Sequence, residues 1–176
     1  STLDPEGEIT AEAHLPHFDE IAIAIRHLTG EIDQLPPDYS ALHVRGKRAY
    51  ELSRRGVKPE LKPRRVYIHR INLLRYEPPS LEILVECSRG TYIRSLARDL
   101  GEMTGSCAYL SWLRRIRIGE FRVEEAESPD RFEPERDLLC PAQFLSRIEG
   151  VKSLQVCPAH AALIARGYPD LESLFP

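Results

Sequence analysis

Residues 66–87, VYIHRINLLRYEPPSLEILVEC, limit the fold more than any other stretch of the chain. Two runs rich in β-branched and apolar residues flank Pro78-Pro79-Ser80. Proline cannot sit inside a ladder and favours a turn, so the chain has to reverse there. In the second run Leu81, Ile83, Val85 and Cys87 share one strand face. The pattern predicts two strands, 66–76 and 81–87, paired as an antiparallel hairpin.

A hairpin with one apolar face must lie against something else, and two segments carry a helical period. In PHFDEIAIAIRHLTG, Phe18, Ile21, Ile25 and Leu28 recur at spacings of three and four. Asp19 and Glu20 suit the first turn and Gly30 the stop. From Ile93 onward, Ile93, Leu96, Ala97, Leu100 and Met103 form the second stripe, with Thr91 as candidate N-cap and Gly105 past the end. Between these helices, Pro36-Pro37 bars a helix, YSALHV reads as a strand, and KRAYELSRR reads as a short helix ending at Gly56. Beyond residue 105, CAYLSWL and RIRIGEFRV read as two further strands, and PAQFLSRIEG as a short helix. The fold class expected is α+β: a mixed, mostly antiparallel sheet with packed helices.

The net charge of −3 hides a segregation. Residues 1–38 carry one Lys/Arg against nine Asp/Glu, residues 39–122 carry 18 against eight, and residues 123–176 carry five against ten. The middle is therefore +10 between flanks of −8 and −5. A basic middle suits an anionic partner, most simply nucleic acid; it equally suits a solvated face balanced by the chain's own acids. No apolar run reaches membrane-spanning length, and STLDPEGEIT lacks a basic-then-apolar signal. Cys87, Cys107, Cys140 and Cys157 form no CxxC pair, so free thiols and a cytoplasmic setting are expected. His14 and His17 make an HxxH, read as polar loop and not as a metal site; no metal is expected.

One junction resists the ordinary rules. In CSRGTYIRSLARDLG, residues 87–101, Arg89 and Arg94 sit where a helix begins. That end already carries partial positive charge and unpaired N–H groups, so cations are unfavourable there. They form either an anion site for phosphate or carboxylate, or a solvent-facing pair. Tyr92 between them is either a stacking face for a base or a core aromatic.

The stretch resembles the C-G/S-K/R-G-T-Y-I-R-x-L-x-x-D-L-G signature of the TruB family of RNA pseudouridine synthases. PPDYSALHVRGKRAYELSRRG, KPRRVYIHRINLL and SCAYLSWLRRIRIGEFRVEEA resemble further segments of that family, in the same order and spacing. The resemblance covers roughly residues 1–130, and residues 151–170 more weakly resemble the start of the family's C-terminal RNA-binding domain. It implies residues 1–150 as the C-terminal part of a catalytic domain and 151–176 as the start of a PUA-like domain. The implied activity is isomerisation of uridine to pseudouridine at position 55 of the tRNA T-loop, by a monomeric enzyme without cofactor, acting on a nucleotide flipped from the loop.

By the same resemblance Arg94 pairs with the family's catalytic Asp, keeping that carboxylate ionised and oriented. Tyr92 and Leu113 line the uracil pocket, and Arg89, Arg45, Lys47 and Arg48 contact RNA. The family's catalytic Asp lies in G-x-L-D-x-x-A-x-G. Asp4, in STLDPEG, lacks the Ala-x-Gly part and fits the family's later acidic T-x-T-x-D-x-x-G-x-I segment better. The nucleophile is therefore expected outside residues 1–176, the chain alone inactive, and Arg94 open or holding a solvent anion. His43 stands where the family usually has Lys. The rival reading is a non-catalytic RNA-binding protein of the same fold.

Overall fold

The computed structural model describes residues 2–152 and 155–167. The chain forms two compact units, Ser1–Leu113 and Arg114–Pro176. Among the described residues every sheet is antiparallel, and the fold is α+β.

In the first unit the predicted hairpin is present. Strand β4 (Arg64–Glu77) pairs with β5 (Ser80–Cys87) from Glu77↔Ser80 to Ile68↔Cys87, with irregularities between Ile68 and Arg70 and between Leu73 and Arg75. Leu81, Ile83, Val85 and Cys87 do share a face, and all four pack against the core. A strand the sequence reading missed, β1 (Gly30–Gln34), pairs with the other edge of β4, Gly30↔Ile68 to Gln34↔Arg64, giving the order β1-β4-β5.

Two helices cover this sheet. Helix α1 (Phe18–His27) opens with the His17 N–H donating to Glu20 Oε2 at 2.6 Å. It buries Ile21, Ala24 and Ile25, with Leu28 just beyond its end, while Phe18 of the predicted stripe is exposed. Helix α3 (Ile93–Met103) buries Ser95, Leu96, Leu100 and Gly101, while Met103 is exposed. Its cap is Tyr92, not Thr91: the Thr91 hydroxyl donates to the Ser88 carbonyl at 2.9 Å instead, closing the turn before the helix. Ile21, Ala24, Ile25, Leu28, Ile68, Ile71, Leu96 and Leu100 form the core.

The segment YSALHV yields only a two-residue strand, β2 (His43–Val44), which pairs with β3 (Lys47–Arg48) before α2 (Ala49–Arg54). Arg45 and Gly46 between them have φ of 50° and 82°. Two positive φ values in a two-residue loop match the twist of a tight hairpin, and Gly46 takes its share without a Cβ penalty. Carbonyls 39 to 42 ahead of it each accept one donor: Tyr39 from Arg94 Nη2, Ser40 from the Tyr50 N–H, Ala41 from Arg48 Nη1, and Leu42 from the Ala49 N–H.

CAYLSWL is not a strand. Residues 105–110 are pinned singly: the Ser106 N–H donates to Gly101 O at 2.8 Å and the Leu110 N–H to Leu3 O at 3.0 Å. Isolated bonds to loop carbonyls build no ladder, however apolar the segment. The crossing over α3 is close: a Cβ on Gly101 would lie 2.6 Å from the Ala108 nitrogen.

In the second unit RIRIGEFRV shortens to two-residue strands, β6 (Arg117–Ile118) and β7 (Phe121–Arg122). Short helices follow: α4 (Pro134–Asp137), α5 (Pro141–Ser146) within the predicted PAQFLSRIEG, and α6 (Pro158–Ala165). Phe121 stacks on Phe144 with centroids 5.2 Å apart, and the Arg147 guanidinium lies 4.7 Å over Phe121. Arg147 also pairs with Glu125. Among the described residues this unit buries none. Of the segment 151–176, residues 153–154 and 168–176 lie outside the described residues, and a domain boundary at 150 stands as a proposal.

Candidate active site

The site is the start of α3. Strand β5 ends at Cys87, and the Ser88 N–H donates to Tyr67 O at 2.8 Å while Ser88 Oγ accepts the Tyr67 N–H at 3.0 Å. That tie holds the end of the hairpin to β4. Gly90, at φ 85°, and Thr91 then turn the chain into the helix. The first turn is anchored to the exit of β1. The Tyr92 N–H donates to Gln34 Oε1 at 2.8 Å, and both Ser95 Oγ (2.8 Å) and Arg98 Nη2 (2.9 Å) donate to Leu35 O.

Arg94 is held through both of its terminal nitrogens. Its Nη1 donates to Asp4 Oδ2 at 2.8 Å and to Thr2 O at 3.3 Å, and its Nη2 donates to Tyr39 O at 2.7 Å. An open Arg94, as the sequence reading expects, is thereby corrected: its charge is met within the chain by a carboxylate 90 residues away. The pair is not dry, since the two side chains remain 26% and 23% exposed. A guanidinium has five N–H donors. Three are used, so among the described residues the Nε–H and one Nη2–H are left without an acceptor.

Asp4 is clamped on both oxygens. Oδ1 accepts from the Thr2 hydroxyl and, at 3.3 Å, from the Glu6 N–H, while Oδ2 faces Arg94. The Thr2 hydroxyl is the largest cause that lowers its pKa below 3.8; the Arg94 hydrogen bond and charge add to it, and burial opposes it. Leu3, between the two, adopts φ 64°, a strained conformation for a residue with a side chain.

The remaining predicted site residues are spread out. Arg89 and Lys47 are exposed, and among the described residues their side chains make no ion pair or hydrogen bond, so the two arginines at the helix start are unlike each other: one built in, one turned to solvent. Arg45 pairs with Glu60 at 2.7 Å, both exposed, and Arg48 donates to Ala41 O. Tyr92 is half-buried at the helix cap, and Leu113 lies at the end of the first unit, 57% exposed. His14 contributes a carbonyl to Ser106 Oγ, and His17 opens α1. Among the described residues no cluster could hold a metal ion, and no helix is long and apolar enough to cross a membrane. Sequence reasoning missed Gln34, Thr2 and the Tyr39 carbonyl. The signal for Gln34 was present: Ile32 and Gln34 alternate with Glu31 and Asp33, which puts an amide at an inward strand position.

Residues 1–93 match the family model described as TruB family pseudouridylate synthase (N terminal domain). The chain belongs to that family. It is 43% identical over 128 residues to "tRNA pseudouridine synthase B" of Borreliella afzelii (strain PKo), covering 71% of this chain and 45% of that protein. It is 38% identical over 173 residues to the protein of the same name from Syntrophotalea carbinolica, covering 96% of this chain and 56% of the relative. A third of that name, from Aromatoleum aromaticum, is 50% identical over 127 residues, 71% of this chain and 41% of the relative. The chain thus spans about half the length of the curated relatives it matches.

Proposed function

We propose that this chain supplies the arginine side of the active site of a tRNA pseudouridine synthase, and that the nucleophilic carboxylate lies outside residues 1–176. The reading is carried by one observation: Arg94 is fixed by Asp4, Thr2 and Tyr39 yet keeps an Nε–H and an Nη2–H unengaged among the described residues. Two N–H donors on one guanidinium suit a second carboxylate in a fork. That carboxylate, ionised and oriented by Arg94, would act on the ribose of a uridine flipped from the T-loop. The N1–C1′ bond breaks, the uracil turns, C5 joins C1′, and the C5 hydrogen leaves as a proton while N1 gains one. Half-buried Tyr92 and Leu113 are the proposed walls for the base. Arg89, Lys47, Arg45 and Arg48 are the proposed phosphate contacts. The protein acts as a cytoplasmic monomer without a cofactor or metal.

A second reading has a specific observation behind it. The ion pair expected between Arg94 and the catalytic Asp is found with Asp4, which would make Asp4 the nucleophile. The first reading is favoured because Asp4 lacks the Ala-x-Gly part of the family's catalytic motif, and its Oδ1 is turned to the Thr2 hydroxyl and the Glu6 N–H within its own turn.

Tritium release from 5-³H-uridine tRNA transcripts separates the two. Residues 1–176 alone are expected to release none, and the full-length protein to release tritium. Arg94→Lys in the full-length protein is expected to lower kcat more than tRNA affinity, because an ammonium cannot form the fork. Turnover by residues 1–176 that vanishes in Asp4→Asn establishes Asp4 as the nucleophile. Binding of tRNA by the basic middle is expected to weaken steeply between low and physiological salt in a filter assay; a flat response contradicts phosphate-led binding.

A further inference from the structure

We propose that Gln34 is a positioning residue for the reaction: its side-chain amide fixes the residue that opens α3, and so sets where the Tyr92 ring and the Arg94 fork stand. This rests on the functional reading above. Gln34 ends β1 and is only 1% exposed. Its Oε1 accepts the Tyr92 N–H at 2.8 Å, across 58 residues of chain. That bond fixes the amide's orientation, since the reverse would set an N–H₂ against an N–H.

In a capping box, a Glu or Gln three residues into the helix reaches back to the backbone N–H of the N-cap residue. The residue at that place in α3 is Ser95, and its hydroxyl is directed to Leu35 O. Gln34 therefore takes over the missing carboxamide's part from a different element. Tyr92 has no side-chain bond to its own helix, and while its carbonyl accepts the Leu96 N–H, its own N–H has its partner on β1. Arg94 is two residues on, within the same turn.

The other end of the amide strengthens the case. Gln34 Nε2 is buried without a hydrogen-bond partner among the described residues. An apolar side chain of the same length would carry no such unmet donor, so the amide is explained by what its oxygen holds. A residue that served packing alone would gain nothing from a carboxamide at this place.

The test uses the full-length protein with Gln34→Met, which keeps length and loses the acceptor, and Gln34→Glu, which keeps an acceptor. Tritium release is measured against tRNA concentration. Gln34→Met is expected to lower kcat by about tenfold or more and to leave KM within about twofold, because misplaced groups at the reacting centre cost turnover before binding. Gln34→Glu is expected to stay within about threefold of the unsubstituted kcat. In residues 1–176, hydrogen exchange at the Tyr92 amide is expected to be slow in the unsubstituted chain and Gln34→Glu, and fast in Gln34→Met. Unchanged kcat in Gln34→Met, or an equal fall in both variants, overturns the proposal. If Gln34→Met does not fold, Gln34→Glu decides alone: a tenfold loss of kcat at unchanged Tm overturns it. An unsubstituted full-length protein without turnover defeats the functional reading instead, and the amide exchange then decides the role of Gln34.

Discussion

The two units of the chain are built on different principles. Residues 1–113 lay two amphipathic helices on one face of a three-stranded sheet and bury eight apolar residues in one cluster. The described residues of 114–176 are tied by a Phe–Phe stack, an arginine over one ring and ion pairs of Arg136 and Arg147, and none of them is buried. Buried apolar area carries most of the stability of a fold, and surface ion pairs carry little. The first unit can therefore hold side chains at fixed positions, and the candidate site is on it. The second is a set of local contacts.

The strongest challenge to this contrast is a cavity in the core. Leu96→Ala is expected to cost about 3 kcal/mol, because Leu96 is almost fully enclosed and the site has little room to collapse. Gly101→Ala should cost about 2 kcal/mol, since the new methyl would meet backbone atoms of Cys107 and Ala108 that no side chain can swing away. Phe144→Ala in the second unit should cost about 1 kcal/mol, the worth of one half-exposed aromatic pair. Urea denaturation followed by circular dichroism gives all three. A Phe144→Ala penalty equal to that of Leu96→Ala would show that the second unit has a core of its own.

The smallest effect sharpens the picture at the site. Asp4 has a pKa below 3.8 in the fold, so it contributes stability above its unfolded pKa, and this is lost as pH falls through the lower folded value. Because the pair with Arg94 is partly open to solvent, the contribution is under about 1 kcal/mol. Asp4→Asn should narrow the difference in Tm between pH 7 and pH 3; an unchanged difference would show that the clamp does not stabilise the fold.

How much of this was legible beforehand followed the range of the interactions. Periods of two and 3.6 are local, so α1, α3 and the β4–β5 hairpin could be read directly, as could the polar turn at Pro78-Pro79. GEIDQ hid β1 because a glycine and three polar residues mask a strand whose pairing is supplied by β4. CAYLSWL misled in the other direction: apolar density predicts a strand, but partners decide whether there is a ladder. At the site, the motif around Arg94 stood out, and the oddity of an arginine at a helix start was a sound clue. Its partner was not legible, since an Asp4 to Arg94 contact leaves no periodic trace in the intervening chain.

The run of four consecutive carbonyls at residues 39–42 has a consequence for how this region can change over generations. Between them they hold three elements through the backbone: Arg94 of α3, Arg48 of β3, and the first two N–H groups of α2. Backbone acceptors are indifferent to the side chains they carry, so exposed Ala41 and half-exposed Leu42 are open to replacement without disturbing what their oxygens hold. A single-residue insertion or deletion is another matter. It would shift every acceptor by one place and release the arginine, the helix start and the hairpin together. The stretch should thus drift in spelling while its length stays frozen.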